Sequence, residues 1–338
     1  MPEETQTVCG SWRLVREIGR GAYGTVFLAE GPKGEHAAVK VCRRETTDPE
    51  RYARELRGAT LYRFIPPSEG LLRMREIGEE PWGFYAVMDL ADDEFGGRAA
   101  SPAYRPKTLA DVIRGEKALP LGECVALGIA LARGLVVLQR HHLLQRDIKP
   151  GNVVFVGGRP VLSDPGLLVE EAESSSLVGT PGYVPPERFV GAAGDVYSLG
   201  LTLKAASFGR AVEDLDKGPA HEADTGSALF PAWWRILNKA TDPTPSRRYR
   251  SAKAFVKDLQ LLRVRMTLPP MRVVASVAAA VALAVAIYFA LSVKVWIDRR
   301  EADEKASIEE TKRALETTVK EAGKELDDLL GDLEKAQP

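Results

Sequence analysis

The fold of this chain is decided by the stretch LLQRDIKPGNVVF, residues 143–155. Apolar residues flank a short polar core, which is the pattern of a buried loop held between a helix and a strand. The core contains an acid, Asp147, a base two residues later, Lys149, and an amide five residues after the acid, Asn152. An ordinary polar loop has the same apolar flanks, so the other parts of a site must be sought elsewhere in the chain.

Three glycines near the N-terminus have the spacing G-x-G-x-x-G. They are Gly19, Gly21 and Gly24, and Val26 follows them. Glycine lets the backbone turn sharply and approach a phosphate without a side chain in the way. A dinucleotide-binding turn has similar spacing but requires a helix next, whereas residues 25–29 are strand-like. The motif therefore predicts a glycine turn between two strands, with a plain flexible hairpin as the alternative.

Both stretches resemble the protein kinase family, in particular bacterial eukaryotic-like (Hanks-type) serine/threonine kinases with a C-terminal transmembrane helix. The resemblance covers about residues 12–263. It implies an α+β, bilobal kinase fold with a β-rich N-lobe and a helical C-lobe. It also implies that Asp147 accepts the substrate hydroxyl proton, that Lys149 contacts the transferred phosphate and that Asn152 holds Mg²⁺. One departure is Gln145, which stands where the family has His.

A lysine in the next β-prone run resembles the family's nucleotide-binding lysine. Lys40 lies within residues 37–41, sixteen residues after the last glycine. A lone lysine in a strand usually faces solvent, but the kinase lysine grips the nucleotide phosphates and needs a carboxylate partner. Residues 47–50 predict the start of a helix that carries Glu55. We choose Glu55 as the partner over Glu50, because the helix cap and dipole already explain Glu50.

The strand at residues 84–90 resembles the edge of the kinase nucleotide pocket and the hinge between the lobes. There Met88 would lie against the adenine, and the backbone at the end of the strand would hydrogen-bond it; an ordinary core strand is the alternative. The remaining ATP-binding residues that the resemblance implies are Val26, Ala38, Leu90 and Ala91. Residues 92–107 are rich in Asp, Gly, Ala and Pro, and we interpret them as an inserted surface loop of unknown use.

A second acid follows two short predicted strands, residues 153–156 and 160–162, joined by a Gly-Gly turn. The family has Asp-Phe-Gly at this point, and the resemblance implies that Asp164 binds Mg²⁺. Pro165 replaces the Phe. Because proline fixes φ and lacks an N–H, we expect the motion of this motif to be restricted.

The segment after this motif resembles a kinase activation segment. A serine cluster in an acidic stretch comprises Ser174, Ser175 and Ser176. We expect one of these serines to be phosphorylated and to pair with Arg146, although a plain Ser-rich loop has the same composition. Thr180 would line the substrate pocket and contact Asp147 and Lys149, which favours Ser or Thr over Tyr as the acceptor.

Three residues have roles that the resemblance implies are structural. Glu187 would pair with Arg248, with Arg247 as the alternative, and such a buried pair holds geometry more than it adds stability. Asp195 opens a predicted buried helix and would accept hydrogen bonds from the backbone of the catalytic loop.

Bulk composition excludes several function classes. The formal net charge is −1, so no strong attraction to nucleic acid is expected. The three cysteines, Cys9, Cys42 and Cys124, are widely spaced and indicate neither a disulfide framework nor a metal cluster. The N-terminus is acidic and has no apolar core, so we expect no signal peptide there.

The tail has two predicted helices. Residues 273–293 are an uncharged apolar run long enough to cross a bilayer of ~30 Å, and a buried soluble helix is the alternative. Apolar residues at steps of mostly four and three then form a heptad pattern: Ile308, Leu315, Val319, Ala322, Leu326, Leu329 and Leu333. This pattern predicts an acidic helix that either pairs with a copy of itself or stays single. The predicted boundaries are a tail at 1–11, a kinase domain at 12–265 (N-lobe 12–90, C-lobe 91–265), a linker at 266–272, a transmembrane helix at 273–293 and an acidic helix at 298–338.

Two hypotheses of function remain open. The first is a single-pass membrane Ser/Thr kinase that uses ATP and Mg²⁺, acts on protein substrates and autophosphorylates as a homodimer. Since ATP is cytosolic, its kinase domain would be cytoplasmic and its C-terminus extracytoplasmic. The second is a membrane-anchored pseudokinase that binds nucleotide or docks partners, which Gln145 and Pro165 favour and which the intact Lys40, Asp147 and Asp164 oppose.

Overall fold

The computed structural model describes residues 8–21, 24–99, 101–114, 117–171, 179–187, 191–217, 225–268 and 271–335. The chain divides into two compact units, Met1–Thr267 and Leu268–Pro338. The first unit has a strand-rich N-lobe and a helical C-lobe, as the sequence predicts.

The N-lobe is one antiparallel sheet with the strand order β1-β2-β3-β4-β6-β5. The strands are β1 Val8–Cys9, β2 Trp12–Gly21, β3 Gly24–Glu30, β4 His36–Arg43, β5 Met74–Glu80 and β6 Gly83–Met88. Helix α1, Pro49–Arg63, packs on the sheet. It begins as the sequence predicts, because the Asp48 side chain accepts hydrogen bonds from the backbone N–H groups of Glu50 and Arg51. Its buried face includes Tyr52 and Glu55.

The C-lobe is built around helix α3. Its helices are α2 Leu109–Val112, α3 Leu121–Arg140, α4 Ala192–Phe208, α5 Phe230–Ala240 and α6 Ala252–Thr267. Two short strand pairs join them: β7 Leu143–Leu144 with β10 Val169–Glu170, and β8 Val153–Val156 with β9 Arg159–Leu162. Cys124, Leu131 and Leu138 of α3 are fully buried. The catalytic-loop stretch thus leaves a buried helix and enters the β8–β9 hairpin.

The second unit contains one long helix, α7, Met271–Lys335. It runs without a break through residues 294–297, where the sequence suggested a boundary between a transmembrane helix and an acidic helix. Two described helices are long and apolar enough to cross a membrane, Leu121–Arg140 and Ala275–Lys324. The first is largely buried in the C-lobe, whereas no part of the apolar window of the second is buried.

Candidate active site

Three charged side chains from distant parts of the chain meet at one point between the lobes. Lys40 on β4 donates from Nζ to Glu55 Oε2 at 2.7 Å and to Asp164 Oδ1 at 2.6 Å. Lys40 and Glu55 are both buried. The lysine therefore faces the interior and links the N-lobe sheet, helix α1 and the acid that follows β9.

Two glycines allow helix α1 to lie close to the Asp-Pro-Gly turn. A Cβ on Gly58 would overlap the carbonyl oxygen of Pro165, and a Cβ on Gly166 would overlap the Glu55 carboxylate. Asp164 itself has a left-handed backbone, with φ of 53°, and its side chain accepts a hydrogen bond from Gly166 N. Neither glycine contact was part of the sequence prediction, since two residues so far apart in the chain give no local signal.

The charges in this cluster shift one another. Burial acts to lower the pKa of Lys40, but the neighbouring Asp164 and Glu55 raise that pKa above its ordinary value. Burial acts to raise the pKa of Asp164, and the charge of Lys40 outweighs it and holds that pKa below its usual range. Burial raises the pKa of Glu55 to about 7 despite its bond to Lys40. The attraction between Lys40 and the carboxylates therefore favours the ionised forms of Lys40 and Asp164, whereas burial favours the neutral form of Glu55.

The polar residues of the catalytic loop form a second cluster around Asp147. Lys149 Nζ donates to Asp147 Oδ2 at 2.9 Å and to Thr180 Oγ1 at 2.6 Å. Thr180 Oγ1 donates to Asp147 Oδ1 at 2.6 Å, and Thr180 N donates to the same oxygen at 3.1 Å. Asn152 Nδ2 donates to Asp147 Oδ2 at 2.8 Å. The acid is thus held by a base, a hydroxyl and an amide, and it is 9% exposed.

Gln145 ties this loop to the Asp164 motif. Its Nε2 donates to the carbonyl oxygens of Ser163 and Asp164, both at 3.0 Å. The residue that departs from the family pattern therefore supplies hydrogen bonds that fix the backbone of Asp164. In the sequence, Gln145 departs from the family pattern and favours a pseudokinase. The signal it contained was that a buried glutamine amide carries two N–H donors, which must find acceptors.

The Asp195 carboxylate accepts hydrogen bonds from the backbone of the catalytic loop. Its Oδ2 accepts from Gln145 N and its Oδ1 accepts from Arg146 N, both at 2.9 Å. Arg146 has a left-handed backbone, with φ of 68°, so these bonds hold a conformation that a non-glycine residue seldom adopts. Burial raises the pKa of Asp195 to about 6, against the lowering effect of these backbone bonds.

An ion pair between a buried arginine and a partly exposed glutamate joins the end of the activation segment to the late C-lobe. Arg248 binds Glu187 with both terminal nitrogens, at 2.6 and 2.7 Å, and its side chain has no exposed surface. Arg248 also donates to the carbonyl oxygens of Asp242 and Pro243. Arg247, the alternative, is exposed. The serines Ser174, Ser175 and Ser176 lie outside the described residues.

Except for Glu55 on α1, the predicted ATP-binding residues lie on strands β2, β3, β4 and β6 or just after β6. Strand β2 pairs with β3 so that Gly21 lies opposite Gly24 and Gly19 lies opposite Val26. Gly24 has a φ of 158°, and a Cβ there would lie 2.6 Å from the carbonyl oxygen of Val41. The remaining residues adjoin this turn or the hinge: Ala38 pairs with Met88 across β4 and β6, and Leu90 and Ala91 follow β6.

The residues near Asp164 fit a divalent cation of the Mg²⁺ type. Ser163 N donates to the carbonyl oxygen of Asn152 at 2.9 Å, which brings the backbone of Asn152 next to the residue that precedes Asp164. A carboxylate and an amide offer hard oxygen ligands, and Mg²⁺ is commonly held by one or two carboxylates together with substrate phosphates. Among the described residues there is no group of three or more His, Cys, Asp or Glu side chains that could hold a metal ion.

This arrangement of lobes, lysine cluster and catalytic loop defines the protein kinase class of fold. The family model described as "Protein kinase domain" matches residues 12–269, so the chain belongs to the protein kinase family. The crystal structure of the Mycobacterium tuberculosis PknI kinase domain is similar with a TM-score of 0.57 at 24% identity, over 78% of this chain and 100% of that one. At that identity the likeness concerns the fold alone.

Curated relatives are bacterial serine/threonine-protein kinases. PknK of Mycobacterium tuberculosis is 30% identical over 72% of this chain and 20% of its own length. PknA of Nostoc is 25% identical over 76% of this chain and 48% of its own length. The chain thus spans between a fifth and a half of these relatives.

Proposed function

We propose that the chain is an active serine/threonine protein kinase that transfers the γ-phosphate of ATP to protein Ser or Thr hydroxyls. The observation that carries the proposal is Lys40 Nζ bonded to both Glu55 and Asp164, at 2.7 and 2.6 Å. A buried lysine at such a junction can bind phosphate oxygens as a point charge, while Glu55 keeps it in place. The names of the relatives support the choice of Ser and Thr.

The chemistry follows from the two clusters. The acceptor hydroxyl gives its proton to Asp147, its oxygen attacks the γ-phosphorus, and the bond from that phosphorus to the β–γ bridging oxygen breaks to release ADP. Lys149 stabilises the negative charge on the transferred group. Asn152 and Asp164 would hold Mg²⁺, which neutralises phosphate charge when bound. Because hydrogen bonds from three side chains fix Asp147, we expect the rate acceleration to come mainly from positioning of the reacting groups.

We propose that the acceptor segment binds beside the catalytic loop. A cavity of about 390 Å³ adjoins Lys149 and is lined by Ile113, Pro150 and Tyr183, among others. Thr180 is bonded to both Asp147 and Lys149, and Lys149 lines this cavity. This arrangement supports an acceptor hydroxyl that binds close to Asp147.

Residues 275–293 support membrane attachment. The apolar window of α7 is entirely exposed, and an exposed apolar surface of this length is stable in lipid but not in water. We propose a single-pass protein with a cytoplasmic kinase unit and an extracytoplasmic C-terminus, because ATP is cytosolic. The heptad pattern at 308–333 supports a homodimer that phosphorylates itself in trans.

The alternative is a pseudokinase, which Pro165 and Gln145 favour from sequence. Full-length protein in detergent micelles, incubated with γ-labelled ATP, Mg²⁺ and generic acceptor proteins, separates the two. We expect label on the protein or acceptors, and its loss in Asp147→Asn. Equal labelling by wild type and Asp147→Asn, or none by either, would refute the enzyme.

A further inference from the structure

The inserted loop at residues 92–107 is anchored to the C-lobe. Asp92 accepts hydrogen bonds from Gly157 N and Gly158 N, at 2.8 and 2.7 Å, in the turn of the β8–β9 hairpin. Lys107 N donates to the carbonyl oxygen of Asp92 at 2.8 Å, and Phe155 N donates to that of Lys107 at 3.2 Å. Both ends of the loop are therefore fixed to one hairpin, and the loop moves with it.

The base of the loop is closed by its own hydrogen bonds. Asp93 accepts from Arg105 N at 2.8 Å and from Gly97 N at 2.7 Å. Glu94 N donates to the carbonyl oxygen of Arg105 at 2.8 Å. These bonds join the two ends of the loop to each other.

Residues in the second half of the loop form hydrogen bonds with the N-lobe. Arg16 on β2 donates from Nη2 to the carbonyl oxygen of Tyr104 at 2.7 Å and to that of Ser101 at 3.4 Å. Its guanidinium carbon lies 5.8 Å from the centre of the Tyr104 ring. Tyr104 is 2% exposed, and its hydroxyl donates to the carbonyl oxygen of Ala91 at 3.0 Å. Tyr104 thus contacts both the hinge and the strand that leads to the glycine turn.

These contacts border the entrance to the proposed nucleotide site. A cavity of about 640 Å³ lies between β2 and the loop, lined by Arg16, Ile18 and Gly19 on one side and by Phe95, Tyr104 and Arg105 on the other. Gly19 begins the glycine motif, and Ala91 belongs to the hinge. Separating the lobes would break the Arg16 bonds, since Arg16 belongs to one lobe and its acceptors move with the other.

We infer that Arg16 and Tyr104 are positioning residues that hold the glycine strand against the hinge and keep the nucleotide cleft closed. The inference rests on the proposed ATP binding and assigns a use to the inserted loop. A bond made only in the closed cleft shifts the open–closed equilibrium by its own free energy. The pair therefore slows nucleotide release and lowers KM for ATP, with a smaller effect on kcat.

The first test compares Arg16→Ala with Arg13→Ala in the full-length protein in detergent micelles. Arg13 is on the same strand and pairs with Glu30, away from the loop. The release rate of a methylanthraniloyl-labelled ADP, measured by stopped flow with Mg²⁺, should rise about fivefold to tenfold in Arg16→Ala, as expected for a lost charge-assisted hydrogen bond. KM for ATP should rise similarly, Arg13→Ala should match wild type, and Arg16→Lys should recover part of the loss.

The second test removes the acceptors. Glu94 and Arg105 already face each other through a backbone hydrogen bond, so an Asn-Gly turn can replace residues 95–104 without opening the base of the loop. This deletion should accelerate release as much as Arg16→Ala, and combining the two should add nothing further.

The outcomes separate the two proposals. A wild type that binds no nucleotide overturns both. If the wild type binds nucleotide but Arg16→Ala releases it at the same rate as Arg13→Ala, only the proposed role of Arg16 and Tyr104 is overturned. Additive effects of Arg16→Ala and the deletion would overturn that role as well.

Discussion

Two ion pairs in the kinase unit, each formed by a buried basic side chain, are built differently. Arg248 donates from two nitrogens to the Glu187 carboxylate and also donates to two backbone carbonyl oxygens, so each of its three nitrogens has an acceptor. Lys40 divides one ammonium group between Glu55 and Asp164, and Glu55 Oε1 is buried with no hydrogen-bond partner among the described residues. An ion pair whose hydrogen-bonding groups all have partners is typical of a structural role. A cluster with more acceptor oxygens than its lysine can satisfy is typical of a site that binds a charged ligand.

Removing Arg248 should have the largest effect on stability. Arg248→Ala removes the donors to two carbonyl oxygens and leaves the partly exposed Glu187 carboxylate unpaired, and we expect a loss of about 2–3 kcal/mol in the free energy of unfolding. Urea unfolding followed by circular dichroism measures it. Arg247→Ala, an exposed neighbour, is the matched control and should change little. If both variants unfold at the same urea concentration as wild type, the pair is not structural.

Removing Lys40 should act on catalysis instead. Lys40→Met should lower kcat/KM by roughly 10²- to 10³-fold, because a charge that stabilises transferring phosphate is lost. Its stability cost should be smaller than that of Arg248→Ala, since Glu55 already has a raised pKa and can become neutral. Kinase assays and urea unfolding on the same samples check both statements. Lys33→Met, at an exposed lysine, serves as the control, and an active Lys40→Met would remove the contrast between the pairs.

Gln145 tests how the catalytic loop is joined to the lysine cluster. Gln145→Leu removes the donors to the Ser163 and Asp164 carbonyl oxygens, and we expect kcat to fall about tenfold. Gln145→His keeps an N–H donor and should retain more activity than the leucine variant. Equal kcat in wild type and Gln145→Leu would show that these bonds do not position Asp164.

The pH dependence of the lysine cluster should be the smallest effect. Since the Glu55 carboxyl has a pKa of about 7, it becomes ionised as pH rises from about 6 to 8. Because the ionised carboxylate keeps Lys40 in place for the phosphates, nucleotide affinity should rise severalfold over that range. Folding favours the protonated carboxyl, because the folded pKa lies above the ordinary value of 4.5; this group therefore stabilises the fold most below pH 4.5, and its contribution falls as pH rises to about 7. Titration of affinity in Glu55→Gln should show no such step, and a step that persists would assign it to another group.

The sequence predicted local patterns better than long-range packing. The glycine turn, the capped helix α1 and the β8–β9 hairpin each depend on neighbouring residues, so their patterns are visible in the chain. The use of Gly58 and Gly166 was not predictable, because each is needed only for contact with a distant backbone or side chain. The Arg16 bonds to the inserted loop were hidden for the same reason.

Departures from a family pattern were the hardest to interpret. Gln145 suggested a weakened site from sequence, yet its amide makes two backbone bonds that an apolar replacement could not make. The tail was ambiguous in another way, since its composition suggested two helices and the structure has one. Hydropathy alone also does not separate α3 from α7, because burial is what distinguishes them.

We propose that Lys40, Asp164 and Asn152 converge on a triphosphate and its cation. This proposal is tested by isothermal titration of the protein with ATP, once in the presence of Mg²⁺ and once in the presence of a chelator. We expect Mg²⁺ to raise the affinity of the wild type for ATP at least about tenfold and to have little effect on Asp164→Asn. Equal affinities with and without Mg²⁺ in the wild type, or the same Mg²⁺ effect in Asp164→Asn, would contradict the account.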